Sequence, residues 1–192
     1  MTLESCFVKF PYIKEYPIYI DGSNAAYSRF KNNKKPSLDD ITLLINHVIV
    51  DLEFDREKIH CICDPALKYY IDKPIEYEAL IREEVIVEAP KVADEFILSF
   101  ALKHEFCFII SNDKFREYLD QLPNKQWLDD RKVPFMFLGS KVCLSPNIDY
   151  NRIDVLPLND EVEERIKSFK EEKTTLEILE KIEQKEGEFD LF

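Results

Sequence analysis

Apolar residues along this chain come in two rhythms: short runs that are apolar on both faces, and longer stretches with apolar positions at helical spacing. Pro17-Ile18-Tyr19-Ile20 reads as a buried first strand, stopped by a turn at Asp21-Gly22-Ser23-Asn24. Ser37 then offers an N-cap with Asp39 and Asp40 in the first turn, and Leu43, Leu44, Val48 and Leu52 mark the inner face of a helix to about Glu53. Lys58 to Cys63 is a second strand, ending at Asp64-Pro65. Ile75 to Arg82 reads as a helix entered through Lys73-Pro74, Val85 to Val87 as a third strand, and Ala93 to His104 as a helix. Phe106 to Ile110 is the clearest strand, followed by Ser111-Asn112-Asp113 and a helix through Leu119. Val133 to Leu138 and Lys141 to Leu144 flank Gly139-Ser140, which reads as a hairpin or sharp bend at a sheet edge.

Strands apolar on both faces that alternate with helices imply an α/β fold: a mainly parallel sheet with helices on both faces. Residues 145 to 159 are irregular, and a charged helix runs from Asp160 to about Glu186, where Gly187 stops it. The expected organisation is an N-terminal extension over 1–16, one α/β domain over 17–147, and an acidic C-terminal helix and tail over 148–192. The apolar stripe of that helix (Val162, Ile166, Phe169, Leu176, Leu179) suits docking or a homodimer, and Phe189 to Phe192 suits a protein partner's groove.

Composition narrows the class. Hydrophobic residues at 45% and charged residues at 33% fit a globular domain with a real core. The first residues carry Glu4 and Lys9 without a continuous apolar stretch, so no signal peptide is expected, and no run is long enough to span a bilayer. A cytoplasmic location is therefore expected. Five cysteines without a CxxC pair argue against a zinc knuckle or a disulfide framework, and Cys61, Cys63, Cys107 and Cys143 read as buried hydrophobes. The net charge of −12 would repel a phosphate backbone. Half of it comes from residues 160 to 192, where twelve acids face six bases. A bound divalent cation would reverse the local sign in the remainder.

Candidate chemistry concentrates where strands end, since sites in parallel sheets form outside the carboxyl ends of strands. Asp21, Asp64 and Asp113 each follow a strand, Asp94 opens the helix after the third, and Glu117 lies one helical turn beyond Asp113. Gathered carboxylates repel one another unless a hard cation sits among them. Mg²⁺ or Mn²⁺ takes oxygen ligands, activates water and stabilises charge on phosphorus. Asn24 is a neutral partner for a ligand or a phosphate oxygen. Arg29, Lys31, Lys34 and Lys35 follow the first strand on the same edge, and Lys114 and Arg116 follow the fourth; all six are candidates for binding the phosphates of a substrate. Tyr27, Tyr69 and Tyr70 suit either base stacking or rim packing. His47, His60 and His104 lack ligand spacing and read as ordinary histidines.

These residues carry a family resemblance. Ile20-Asp21-Gly22-Ser23-Asn24 resembles the opening motif of NYN domains in the PIN-like nuclease superfamily. Ala93-Asp94-Glu95-Phe96-Ile97 and Ile110-Ser111-Asn112-Asp113-Lys114-Phe115-Arg116 resemble the second and third motifs of the regnase-type branch, ribonucleases often fused to a CCCH zinc finger. Order and spacing agree from about Pro17 to Pro146, and Trp127 and Val133 to Leu144 are similar to that branch's closing strands. The resemblance implies a PIN-like three-layer fold and a Mg²⁺- or Mn²⁺-dependent endoribonuclease acting on single-stranded or loop RNA. It places Asp21, Asn24, Asp94 and Asp113 in the catalytic set, with Asp21, Asp94, Asp113 and Glu117 toward the metal. Two positions depart from the branch: Ala93 stands where a first acid is usual, and Glu117 where an Asp is usual. No CCCH finger is present in the sequence, so this chain is similar to the short forms of the branch.

Other readings of the same residues stay open. Asp21 also suits an Asp-Gly turn, Asp94 and Asp113 suit helix N-termini, Asp64 suits an Asp-Pro turn, and Glu117 suits a solvated face. Ser111 and Asn112 read as caps. A non-catalytic PIN-like module that binds RNA or protein, and a DNA- or structure-specific nuclease, are the rival functions.

Overall fold

A computed structural model of the chain describes residues 14–29 and 35–145. The expected C-terminal helix and tail, Lys31, Lys34 and the end of the expected domain at 147 lie outside the described residues.

Five strands form one sheet: β1 (Ile18–Asp21), β2 (Ile59–Cys63), β3 (Ile86–Glu88), β4 (Phe108–Ile110) and β5 (Lys132–Val133), in the order β3-β2-β1-β4-β5. Every pairing in it is parallel. Such strands are buried on both faces, which is why their sequences show no polar alternation. Helices follow the strands: α1 (Gly22–Tyr27), α2 (Leu38–Asn46), α3 (Pro74–Arg82), α4 (Ala93–Ala101) and α5 (Lys125–Asp129). On one face Tyr19, Ile62, Cys107 and Ile109 pack with Ala93, Ile97, Leu98 and Ala101 of α4. The opposite face presents Ile18, Ile20, Cys61 and Cys63, all buried, with α1 and Tyr77 of α3 beside the two sulfurs. The result is the expected three-layer α/β arrangement.

Local chemistry explains the element boundaries. The Ser37 hydroxyl accepts the Asp40 amide at 3.3 Å and caps α2, which ends in a wider π-helical turn over His47–Asp51. The inner face of α2 is set by Ile41, Leu44 and Ile45, with Val48 and Leu52 beyond, while Leu43 is only half-buried. Pro74 occupies the first turn of α3, where its missing N–H is harmless.

Four expectations need correction. The turn after β1 is the start of α1, because Asp21 caps it through the Asn24 amide at 2.9 Å. The single strand expected over Val133 to Leu138 is two. Pro134 cannot donate to a ladder, so β5 ends there and β6 (Phe135–Leu138) leaves to pair antiparallel with β7 (Lys141–Leu144). Gly139 turns that hairpin at φ 62. The segment after Asp113 is a 3₁₀ turn over Arg116–Gln121, preceded by Phe115 in the left-handed region (φ 47). Cys143 points outward from β7, whereas Cys61, Cys63 and Cys107 are buried as expected.

Gly22 marks the tightest approach of helix to sheet. A Cβ there would meet the Cys63 sulfur at 2.4 Å and the Cys61 sulfur at 2.8 Å, both inside the core. Gly22→Ala is therefore expected to destabilise the fold by about 1–3 kcal/mol, read as a lower urea midpoint. An unchanged midpoint would show that α1 is not pressed onto β2 as described.

Candidate active site

The strand order reverses between β1 and β4, and the chain ends of these two neighbours build the site. Asp21, the last residue of β1, is 2 % exposed. One of its carboxylate oxygens accepts the Asn24 amide at 2.9 Å, and the other accepts the Ser111 hydroxyl at 2.8 Å. Ser111 follows β4 and in turn accepts the Asp113 amide at 3.0 Å, so one hydroxyl links the Asp21 carboxylate to the backbone of Asp113. The Asn24 side-chain oxygen accepts the Asn112 amide at 3.0 Å and closes the same gap a second time. The Asn112 side chain then exchanges two hydrogen bonds, each 3.0 Å, with the backbone of Phe135, where the chain leaves the sheet.

Asp113 accepts the Phe115 amide at 2.6 Å, a local bond that fits the left-handed turn at Phe115. Its backbone carbonyl accepts Lys132 Nζ at 2.9 Å. Beyond it opens a cleft of about 430 Å³, whose lining includes Asn24, Asp94, Asp113, Lys114, Arg116, Glu117 and Tyr118.

The electrostatics show how crowded this edge is. Burial pushes the Asp21 carboxyl up to about 7; its two hydrogen bonds oppose the rise, and Asp94 and Asp64 add to it. Burial likewise raises Asp94 to about 6, with Asp113, Asp64 and Glu117 adding to it. Asp94 thus stands in the field of each of the other four acids singled out by the sequence.

The remaining candidates divide. Asp64 accepts the Ala93 amide at 2.8 Å and anchors the start of α4, while its own amide donates to Ser23 Oγ at 2.8 Å. It therefore has a structural duty beside any role in the cluster. Arg29 is a correction. Its guanidinium binds the buried Asp40 carboxylate, donates to the Gly139 carbonyl at 2.7 Å and lies 4.6 Å over the Phe137 ring. It pins the β6–β7 hairpin and is not free for an RNA phosphate. Lys35, Lys114 and Arg116 are exposed, and the last two line the cleft. His47 is buried against Asp51 at 2.6 Å and His60 stacks on Tyr19, roles unrelated to this edge.

Sequence reasoning treated Ser111 and Asn112 as caps and passed over Tyr118 and Lys132. Lys132 reaches Asp113 only because β5 pairs with β4 (Ile109 opposite Lys132), a relation that no local motif reveals.

Among the described residues, no three His, Cys, Asp or Glu side chains converge closely enough to hold an ion between them. The donor set still fits a hard cation. It is all oxygen, it gathers several carboxylates at one edge, and Mg²⁺ commonly binds through one or two carboxylates with waters and phosphate completing the shell. Asp94, Asp113 and Glu117 are the acids that open onto the cleft.

The raised Asp21 has a consequence for stability. An unfolded chain ionises this carboxyl near its ordinary 3.8, the fold only near 7. Across that interval the folded state keeps a proton that the unfolded state has lost, so stability falls as pH rises and stays low above it. Asp21→Asn keeps an acceptor for the Asn24 amide and removes the charge. In EDTA at pH 8 it is expected to be more stable than the parent, by on the order of 2–4 kcal/mol, with the gap closing near pH 4. Calorimetric melting at both pH values checks this; a less stable variant at pH 8 would mean that Asp21 is a structural anchor.

Comparison with known proteins follows the same lines. No curated protein sequence matches the chain. Two structures of the nuclear protein-only RNase P 2 (PRORP2) of Arabidopsis thaliana resemble its fold. One has a TM-score of 0.55 and 15% identity over 74% of this chain, the other 0.54 and 17% over 73%. The chain spans about a third of those proteins (35% and 33%), and at such identity the likeness concerns the fold alone. A family model described as the Zc3h12a-like ribonuclease NYN domain matches residues 14–155. That match covers the whole sheet and every acid of the cluster, and the chain belongs to the Zc3h12a-like ribonuclease NYN domain family.

Proposed function

We propose that this chain is a divalent-metal-dependent endoribonuclease whose site is the carboxylate edge formed by β1, β2 and β4. The observation that carries the reading is the gathering of Asp21, Asp64, Asp94, Asp113 and Glu117 at one edge beside an open cleft, with electrostatic strain on Asp21 and Asp94 from burial first and neighbouring acids second, in a chain of a ribonuclease family. Such strain destabilises a fold unless a cation or a substrate cation shell relieves it.

Asp94 and Asp113, with Asp21 behind them, would hold Mg²⁺ or Mn²⁺. A bound ion supplies Lewis acidity at the phosphate and eases deprotonation of the attacking water. The rest is done by the chain. The Ser111 and Asn24 bonds keep Asp21 from turning away from the cluster. Lys114 and Arg116 at the cleft present positive charge to the phosphates that flank the scissile bond. Glu117 lies at the same cleft and extends its acidic lining.

Two observations favour a second reading, an RNA-binding module without catalysis. The position before Asp94 is Ala93, and no three acids converge among the described residues.

Cleavage of an end-labelled single-stranded RNA separates the two. The nuclease reading expects internal cuts with Mn²⁺ or Mg²⁺, none in EDTA, and a loss of roughly a hundredfold or more in Asp94→Asn and in Asp113→Asn, larger than is usual for residues that only support a ligand. Both variants should melt as cooperatively as the parent. Full activity in both variants would remove the site from these residues; binding without any cutting in metal would favour the module.

A further inference from the structure

Three tyrosines on the flank of the carboxylate edge away from the cleft are turned to solvent. Tyr27, Tyr69 and Tyr70 are 41%, 76% and 58% exposed, unusual for rings of this size outside a binding surface. Their positions are fixed by the fold. Tyr27 ends α1, which starts at Asp21, and Tyr69 and Tyr70 follow Asp64 on a 3₁₀ turn (Leu67–Tyr69). Because β1 and β2 are adjacent and parallel, both elements emerge on the same sheet edge.

Backbone bonds draw them together. The Ser37 amide donates to the Ala26 carbonyl at 3.0 Å and the Asp72 amide to the Pro36 carbonyl at 3.0 Å, while the Asp72 side chain accepts the Leu38 amide at 2.9 Å. The turn that carries Tyr69 and Tyr70 is thereby laced, through residues 36–38, to the end of α1. Burial, then the nearby Tyr70 and Asp64, push the Tyr27 hydroxyl above its ordinary value, consistent with this closeness. Lys68, paired with Glu88 at 3.4 Å, places its ammonium 5.5 Å from the centre of the Tyr69 ring.

We infer that Tyr69 and Tyr70, with Tyr27 between them and the acids, form a stacking platform for unpaired bases of an RNA strand that continues from the carboxylate site. This rests on the ribonuclease reading and adds how the substrate is recognised. Every base has a π-face, so stacking holds a strand without reading its sequence. Bases in a duplex already spend both faces on their neighbours, so the platform selects single-stranded segments. It also complements the cations of the cleft: Arg29 is paired with Asp40, and the platform holds the strand by a force that the acidic surface does not oppose.

The test measures binding without cleavage. The full chain in EDTA is titrated into a single-stranded oligonucleotide with 2-aminopurine at successive positions, and into a fully paired duplex of the same sequence. The parent is expected to prefer the single strand and to quench 2-aminopurine at positions to one side of the site. Tyr69→Ala combined with Tyr70→Ala should weaken single-strand binding by roughly tenfold or more and abolish the quenching. The corresponding pair of Tyr→Phe changes should keep both, since the ring and not the hydroxyl does the stacking. Unchanged affinity and quenching in the alanine pair would overturn the platform and leave the tyrosines to a protein-facing surface, with RNA cleavage by the parent still upholding the nuclease. Tyrosine-dependent binding in a protein that cuts no RNA with metal would uphold the platform and refute the nuclease. A parent that binds neither RNA overturns the platform.

Discussion

Asp21 is a carboxylate that the sheet itself has taken out of water. It terminates a strand flanked on both sides by parallel neighbours, and burial is the main reason its carboxyl rises to about 7. Two hydrogen bonds soften that penalty and, in doing so, fasten β1 to the loop after β4. The geometry of the edge depends on this. Were Asp21 free to rotate into solvent, Ser111 would lose its acceptor and Asp113 its fixed amide partner. Were it replaced by an apolar residue, the side-chain bond that fastens β1 to Ser111 would be lost.

Around this centre each element does double duty. Asn24 caps nothing; its side chain bridges to Asn112, which in turn catches the backbone at Phe135 as Pro134 forces the chain out of the sheet. Asp64 fixes the first turn of α4 and so sets where Asp94 stands. Arg29, neutralised by buried Asp40, fixes the hairpin that closes the far side. The site is therefore a set of carboxylates held by neutral hydrogen-bond donors, with the cations kept to its rim. That leaves a field suited to a divalent ion and poorly suited to an RNA backbone alone, and it makes a non-electrostatic hold on the strand valuable.

Much of this was legible in the residues. Runs apolar on both faces gave the parallel sheet, and the acids after β1, β2 and β4 were readable as an edge because strand ends in such a sheet coincide. Three short motifs in order gave the family. What escaped notice depended on long-range pairing. The duty of Arg29 lies 110 residues away at Gly139, and Lys132 meets Asp113 only across the β4–β5 ladder. The split at Pro134 was written in the sequence but was overridden by the strand pattern on either side of it. The 3₁₀ turn after Asp113 turned on one left-handed residue, Phe115, whose side chain gives no hint of a positive φ.

The central claim is that these carboxylates form one cation site. Anomalous diffraction from crystals of the full chain soaked in Mn²⁺ tests it most directly. The account predicts a manganese peak within ligand distance of Asp94 and Asp113, on the side toward Asp21. Manganese bound elsewhere on the molecule with this edge vacant, at millimolar concentration and pH 8, would contradict it.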